Sequence, residues 1–194
     1  MTEVLLYHHV QGLTEGVRSF ADELRQAGHT VHTPDLFDGR TFATMDDAFA
    51  AVREAGDALG AKVDDAARAV PEGVVYAGIS WGVGAAQRLA QTRAGARGAL
   101  LYEACFPITG EYAFGTWPSD LPVQIHGKAD DEFFAHEGDL DAARELVATA
   151  GPDKAELFVY PGNEHPFVDS SLPSYDADAA ALVTQRTLHF LSVL

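Results

Sequence analysis

The residues best suited to covalent chemistry lie in Gly78-Ile79-Ser80-Trp81-Gly82. An apolar run, Gly73–Gly78 with Val74-Val75-Tyr76-Ala77, leads into them, and a helical pattern, Gly82–Thr92 with Ala85, Ala86, Leu89 and Ala90, follows. A G-x-S-x-G between strand and helix places the serine on a turn so tight that a side chain at either glycine would strike neighbouring backbone. The hydroxyl is left exposed above a sheet, and the helix directs its positive N-terminus at the point where an oxyanion develops. Gly84 extends the run to G-x-S-x-G-x-G, which suggests a phosphate grip, but a dinucleotide fingerprint begins G-x-G after the first strand. Here the motif follows the third.

A serine needs a base, and the base needs an orienting acid. Two later strand ends offer them. Val123–His126 runs into Gly127-Lys128-Ala129-Asp130-Asp131, and Glu156–Tyr160 runs into Pro161-Gly162-Asn163-Glu164-His165-Pro166-Phe167. The order Ser80, Asp130, His165 matches nucleophile, acid and base, with Asp131 as the competitor to Asp130. Oxyanion donors are expected from the backbone N–H of Trp81 and of Val10, the latter in the His8-His9-Val10-Gln11-Gly12 loop. The aromatics Phe106, Phe114, Trp117 and Phe167, with Trp81, are candidate pocket walls. Adjacent strand residues point to opposite faces, so His8 and His9 cannot chelate one ion, and no metal is expected. His126 reads as a hydrogen-bonded histidine at a strand end.

Positioning these residues requires a layered sheet. Val4–His8, His29–Thr33, Gly73–Gly78, Gly98–Tyr102, Val123–His126 and Glu156–Tyr160 read as strands. Thr14–Ala27, Met45–Val70 (broken near Gly56–Gly60), Gly82–Thr92, Leu140–Ala150 and Ala177–Leu194 read as helices. Near-continuous apolar strands alternating with helices predict an α/β fold: a doubly wound, mostly parallel six-stranded sheet in the order 2-1-3-4-5-6, covered on both faces. Glu103–Pro122 reads as a long loop with at most a short helix. The 194 residues suggest a single domain over 1–194.

Composition narrows the partners. Thirteen Lys+Arg against 29 Asp+Glu give a net charge of −16, a surface that repels nucleic acid and anionic membrane. No apolar run approaches the ~20 residues of a membrane helix, and the N-terminus reads as a strand rather than a signal peptide. One cysteine, Cys105, cannot form an internal disulfide, which fits a cytoplasmic location. The expected partner is a small molecule, bound by a monomer or small homo-oligomer.

Several stretches together resemble the dienelactone hydrolases. They are Tyr7-His8-His9-Val10-Gln11-Gly12-Leu13, Pro34-Asp35-Leu36-Phe37-Asp38-Gly39-Arg40, Gly78-Ile79-Ser80-Trp81-Gly82, His126-Gly127-Lys128-Ala129-Asp130, Tyr160-Pro161-Gly162-Asn163-Glu164-His165-Pro166-Phe167 and the tail Tyr175-Asp176-Ala177-Asp178-Ala179-Ala180 with Arg186-Thr187-Leu188. The resemblance implies a compact α/β-hydrolase without a large cap. It also implies ester or lactone hydrolysis without a cofactor, with nucleophile, acid and base at Ser80, Asp130 and His165. Two positions depart from that family's type enzymes: Ser80 stands where they carry cysteine, and His9 where they carry a glutamate that attends it. The departures favour a serine mechanism with a Ser-His-Asp triad and an acyl-enzyme intermediate. The alternative reading is a non-catalytic or flavodoxin-like small-molecule-binding module on the same sheet topology.

Overall fold

The computed structural model describes residues 1–194. Six parallel strands form one sheet: β1 (Glu3–Tyr7), β2 (Thr30–His32), β3 (Val75–Ile79), β4 (Gly98–Tyr102), β5 (Val123–Lys128) and β6 (Ala155–Tyr160), in the spatial order β2-β1-β3-β4-β5-β6. This is the predicted order. β3 and β4 are buried along their whole length because helices cover both faces, whereas the edge strands β2 and β6 are partly exposed.

Strand alternation divides the core in two. Leu5, Tyr7, Tyr76, Leu101, Val123 and Ile125 face one layer, and Val4, Leu6, Val75, Ala77, Leu100 and Tyr102 face the other. The first layer is closed by α3 (Asp57–Ala69), α4 (Gly82–Thr92) and α6 (Asp139–Ala150). The second is closed by α1 (Glu15–Gln26) and α7 (Ala177–Val193). α1 buries Val17, Phe20, Ala21 and Leu24 at helical spacing, and its N-cap Thr14 accepts a hydrogen bond from Val17 N–H. α7 is capped in the same way by Asp176, which accepts from Ala179 N–H.

The predicted helical stretch Met45–Val70 is two helices, α2 (Met45–Ala55) and α3, broken at Gly56, whose φ of 50° ends one helix and begins the next. β5 runs two residues beyond its predicted end, to Lys128. A short helix that the sequence reading did not anticipate, α5 (Glu132–His136), follows it. Residues 103–122 contain no helix or strand. No helix is long and apolar enough to cross a membrane.

Candidate active site

Ser80 directly follows β3 at the carboxyl edge of the sheet, the edge where open parallel sheets bind ligands, and meets the ends of β1 and β4 and the loop after β6 there. Ser80 has φ 50°, a left-handed value rare for a side chain other than glycine. Its N–H donates to Tyr102 O at 2.7 Å, and its carbonyl accepts from Val83 N–H at 2.8 Å, which opens α4. The flanking glycines have no alternative. A Cβ at Gly78 would lie 2.4 Å from Gly82 O, and one at Gly82 would lie 2.5 Å from Tyr7 O. The elbow therefore wedges between β1 and its own helix.

Ser80 Oγ lies 2.7 Å from His165 Nε2, and His165 Nδ1 lies 2.7 Å from Asp131 Oδ2. With Nδ1–H donating to the carboxylate, Nε2 is free to accept from the serine hydroxyl. The other carboxylate oxygen, Asp131 Oδ1, accepts from Phe133 N–H at 2.9 Å, so Asp131 is also the N-cap of α5. Asp131 is fully buried.

The structure thus corrects the predicted acid: the carboxylate that meets His165 belongs to Asp131, and Asp130 is exposed. The reason is the extended pairing of β5 with β6. Beyond Lys128 and Tyr160, Ala129 N–H donates to Tyr160 O and Asp130 N–H donates to Gly162 O. The strand thus runs two residues longer than expected, to Lys128, and the turn at Ala129-Asp130 that follows leaves Asp130 exposed and Asp131 buried.

The histidine loop is anchored from three sides. Buried Lys128 Nζ reaches Glu164 and Asp176, each at 2.5 Å, joining β5, the loop and the cap of α7. Glu103 Oε1 accepts from Phe167 N–H at 2.7 Å and Val168 N–H at 3.1 Å. Phe133 packs its ring on the imidazole, with centroids 4.9 Å apart. Burial by itself lowers the His165 pKa. The hydrogen bond to Asp131 and the charges of Glu103, Asp131 and Asp139 more than reverse this, so the net shift is upward.

The candidate oxyanion donors flank Ser80. Trp81 directly follows it, and Val10 lies on the β1 loop against which the elbow packs. In that loop the amides of Gln11 and Gly12 donate to His9 Nδ1 and His9 O, whereas neither Val10 N–H nor Trp81 N–H has an acceptor within the chain. His8 and His9 diverge. His8 donates from Nδ1 to His9 O and accepts Leu36 N–H at Nε2, and burial lowers its pKa to about 4. His9 donates from Nε2 to Asp169, which also accepts from Thr14 Oγ1. Both rings are thereby spent on holding loops together. His126 is enclosed between Tyr160 and Gln124 and likewise held neutral, its pKa lowered by burial to about 3.

Two of the four predicted pocket aromatics reach the site. Phe106 lines both a cleft of about 150 Å³ over Ser80 and His165 and an adjoining apolar cleft of about 290 Å³, which it shares with Phe114, Trp81, Leu59 and Val63. Trp117 and Phe167 do not reach it. Trp117 is buried in the α4-side core with Nε1–H donating to Leu121 O, and Phe167 is buried in the core on the opposite face. The sequence reading missed Met45, Phe49 and Phe133, which wall the Ser80 cleft, and the carboxylates Glu103, Glu137 and Asp139 beside them. Phe133 lies two residues after the capping position of α5, a signal that Asp131-Glu132-Phe133 carried locally. Met45 and Phe49 come from a helix distant in sequence and had none. A larger hollow, about 420 Å³, opens near Arg97, Val123, Ala155 and Leu194, at the strands' N-terminal ends and away from this chemistry.

The model of the dienelactone hydrolase family matches residues 1–194. Among solved structures, the chain is similar to a protein of Klebsiella pneumoniae subsp. pneumoniae assigned to the dienelactone hydrolases, at TM-score 0.74 and 21% identity over 100% of this chain and 88% of that one. It is similar also to a dienelactone hydrolase-like promiscuous phosphotriesterase from metagenomic libraries, at TM-score 0.75 and 18% identity over 100% and 87%. An α/β-superfamily hydrolase from Xanthomonas campestris pv. campestris matches over 100% of both chains at TM-score 0.70 and 19% identity. No curated protein matches. The chain belongs to the dienelactone hydrolase family, and it is a hydrolase on an α/β-hydrolase sheet.

Proposed function

We propose that the protein hydrolyses carboxylic esters or lactones through a Ser80-His165-Asp131 triad. The observation that carries this reading is the unbroken line of 2.7 Å contacts from Ser80 Oγ through His165 to Asp131, built on a serine of positive φ at the sheet's carboxyl edge. In the acylation step His165 Nε2 takes the Ser80 proton as Oγ attacks the carbonyl carbon. The carbonyl oxygen becomes an oxyanion facing the unengaged amides of Val10 and Trp81. Asp131 holds the Nδ1–H tautomer and stabilises the imidazolium. His165 then returns its proton to the leaving alkoxide. A water, deprotonated at Nε2, attacks the acyl-enzyme, and collapse of the second tetrahedral intermediate returns the proton to Ser80 Oγ and frees the acid.

The substrate class follows from the lining. Trp81, Phe106, Phe114, Leu59 and Val63 offer apolar surface to one side of the ester. The Ser80 cleft contains no Lys or Arg, and carries Glu103, Glu137 and Asp139. Uncharged substrates with an apolar acyl or alcohol part suit it.

The test is labelling by a fluorophosphonate together with turnover of p-nitrophenyl butyrate. The wild type should be labelled at Ser80 and hydrolyse the ester, and Ser80→Ala should lose both, with on the order of 10⁴-fold or more lost from kcat. A Ser80→Ala variant that retains a tenth of the activity removes the nucleophile assignment. An inert, unlabelled wild type favours the binding-module reading.

A further inference from the structure

Glu103 has no place in the mechanism above, yet its backbone and its side chain are both held in place. It directly follows β4, at φ 66°, where glycine is the residue without steric cost. Its N–H donates to His126 O at 2.6 Å, so the backbone is tied to β5. The residue before it, Tyr102, accepts the Ser80 N–H. Its side chain is fully buried, and one oxygen accepts the two consecutive amides that follow the histidine loop, Phe167 N–H and Val168 N–H. Its other oxygen, Oε2, is the one buried side-chain polar atom in the chain without a hydrogen-bond partner. The strained backbone opposes any residue but glycine, and the unpaired buried oxygen opposes an acid in particular, a cost that an apolar side chain would not carry.

We propose that Glu103 is a positioning residue that clamps the His165 loop to the strand beside the nucleophile and, by ionising next to the imidazole, sets the base strength of His165. The proposal rests on His165 as the general base. The clamp follows from connectivity: Glu103 links the Ser80 turn, through Tyr102, to the backbone two and three residues after His165. The electrostatic part follows from what surrounds the imidazole. His165 faces Asp131 after β5, Glu103 after β4, and Asp139 at the start of α6, which in turn neighbours Glu137. Asp131 is committed to His165 and to the cap of α5, and Asp139 accepts Cys105 N–H. The free oxygen of Glu103, Oε2, is buried and unpartnered, so a proton can settle there without the loss of a hydrogen bond. Burial, only partly offset by His165 and by the two amides, lifts its pKa to about 7. Both pKa values are shifted upward and each charge acts on the other, so Glu103 and His165 titrate as a coupled pair.

The sign is definite. An anionic Glu103 favours the imidazolium, so removing that charge makes His165 lose its proton at lower pH. Glu103→Gln keeps a carbonyl oxygen for the two amides but cannot ionise. The readout is the His165 Cε1–H resonance through a pH titration, assigned by its loss in His165→Asn. The wild type should show two steps. Glu103→Gln should show one, with a midpoint on the order of one pH unit lower, and the acid limb of kcat/KM should move with it. An unchanged midpoint in Glu103→Gln overturns the proposal. Asp139→Asn guards against a second step arising from that neighbour: two steps should persist in it. Should Glu103→Gln fail to fold, a single step in the wild type or in Asp139→Asn still overturns the proposal. The titration needs no turnover, so absent Ser80 labelling refutes the hydrolytic reading independently of this result.

Discussion

Asp131 stands 2.7 Å from His165, while Asp130, its neighbour in sequence, turns its carboxylate to solvent and contributes only a backbone N–H to Gly162. The two acids are a built-in control for each other. Asp131→Asn should leave the fold in place, because an amide oxygen can still cap α5, but it presents the wrong partner to Nδ1–H. A loss of about 10⁴-fold in kcat is expected, the size seen for such a change in other triads. Asp130→Asn should change kcat by less than about threefold. Steady-state kinetics on p-nitrophenyl butyrate decides it, and comparable losses in both variants would contradict the assignment.

Ser80→Cys addresses the nucleophile that the family's type enzymes carry. A thiol at this position beside His165 and a helix N-terminus ionises readily, from a free pKa of about 8.5. But His9, the residue standing where those enzymes carry a glutamate, is committed to Asp169 and Gln11. The cysteine enzyme should retain measurable activity on activated nitrophenyl esters and lose on the order of 10²-fold on unactivated alkyl esters. Equal turnover of the alkyl esters at matched pH would mean that the site still works by thiol chemistry.

The acidic lining predicts charge discrimination. In the adjoining apolar cleft the one cation is Arg88, whose guanidinium is engaged by Asp64 at 2.6 Å. A carboxylate on the acyl chain would thus enter beside Glu137 and Asp139 with no free partner. p-Nitrophenyl butyrate should exceed mono-p-nitrophenyl succinate in kcat/KM by about tenfold or more, the gap narrowing as salt rises and screens the repulsion. Preference for the succinate would show that a cation reaches the substrate after all.

Two buried histidines make the fold acid-sensitive. His126 and His8 are held neutral, with pKa values near 3 and 4 set chiefly by burial, below the ordinary value of 6.5. Below pH 6.5 the unfolded chain takes up protons that the folded one refuses, so stability is full above that value and falls progressively towards pH 4. Each histidine should cost about 2 kcal/mol between pH 6.5 and 5. Urea unfolding over that range measures it. His126→Gln should be less stable than wild type at pH 7 but lose less on acidification; parallel pH curves for the two proteins would show that His126 does not carry the effect.

The sequence by itself determined the sheet, its order and the edge at which chemistry gathers. Those follow from local rules: apolar runs of strand length, helical spacing between them, and a crossover handedness that leaves few ways to stack parallel strands. The elbow was equally legible, since the glycines at 78 and 82 answer to backbone that lies within the motif or packs directly against it. What only the tertiary structure decided was register and convergence. Asp130 and Asp131 are chemically identical, and the choice between them depends on how far β5 and β6 stay paired, a matter of hydrogen bonds between residues about 30 positions apart. Trp117 and Phe114 are both loop aromatics, and which one reaches the cleft depends on the fold of a segment without periodicity. Glu103 gave no signal at all. Its burial, its unpaired oxygen and its hold on the histidine loop exist only once β4 is flanked by β3 and β5 and the last loop closes over it.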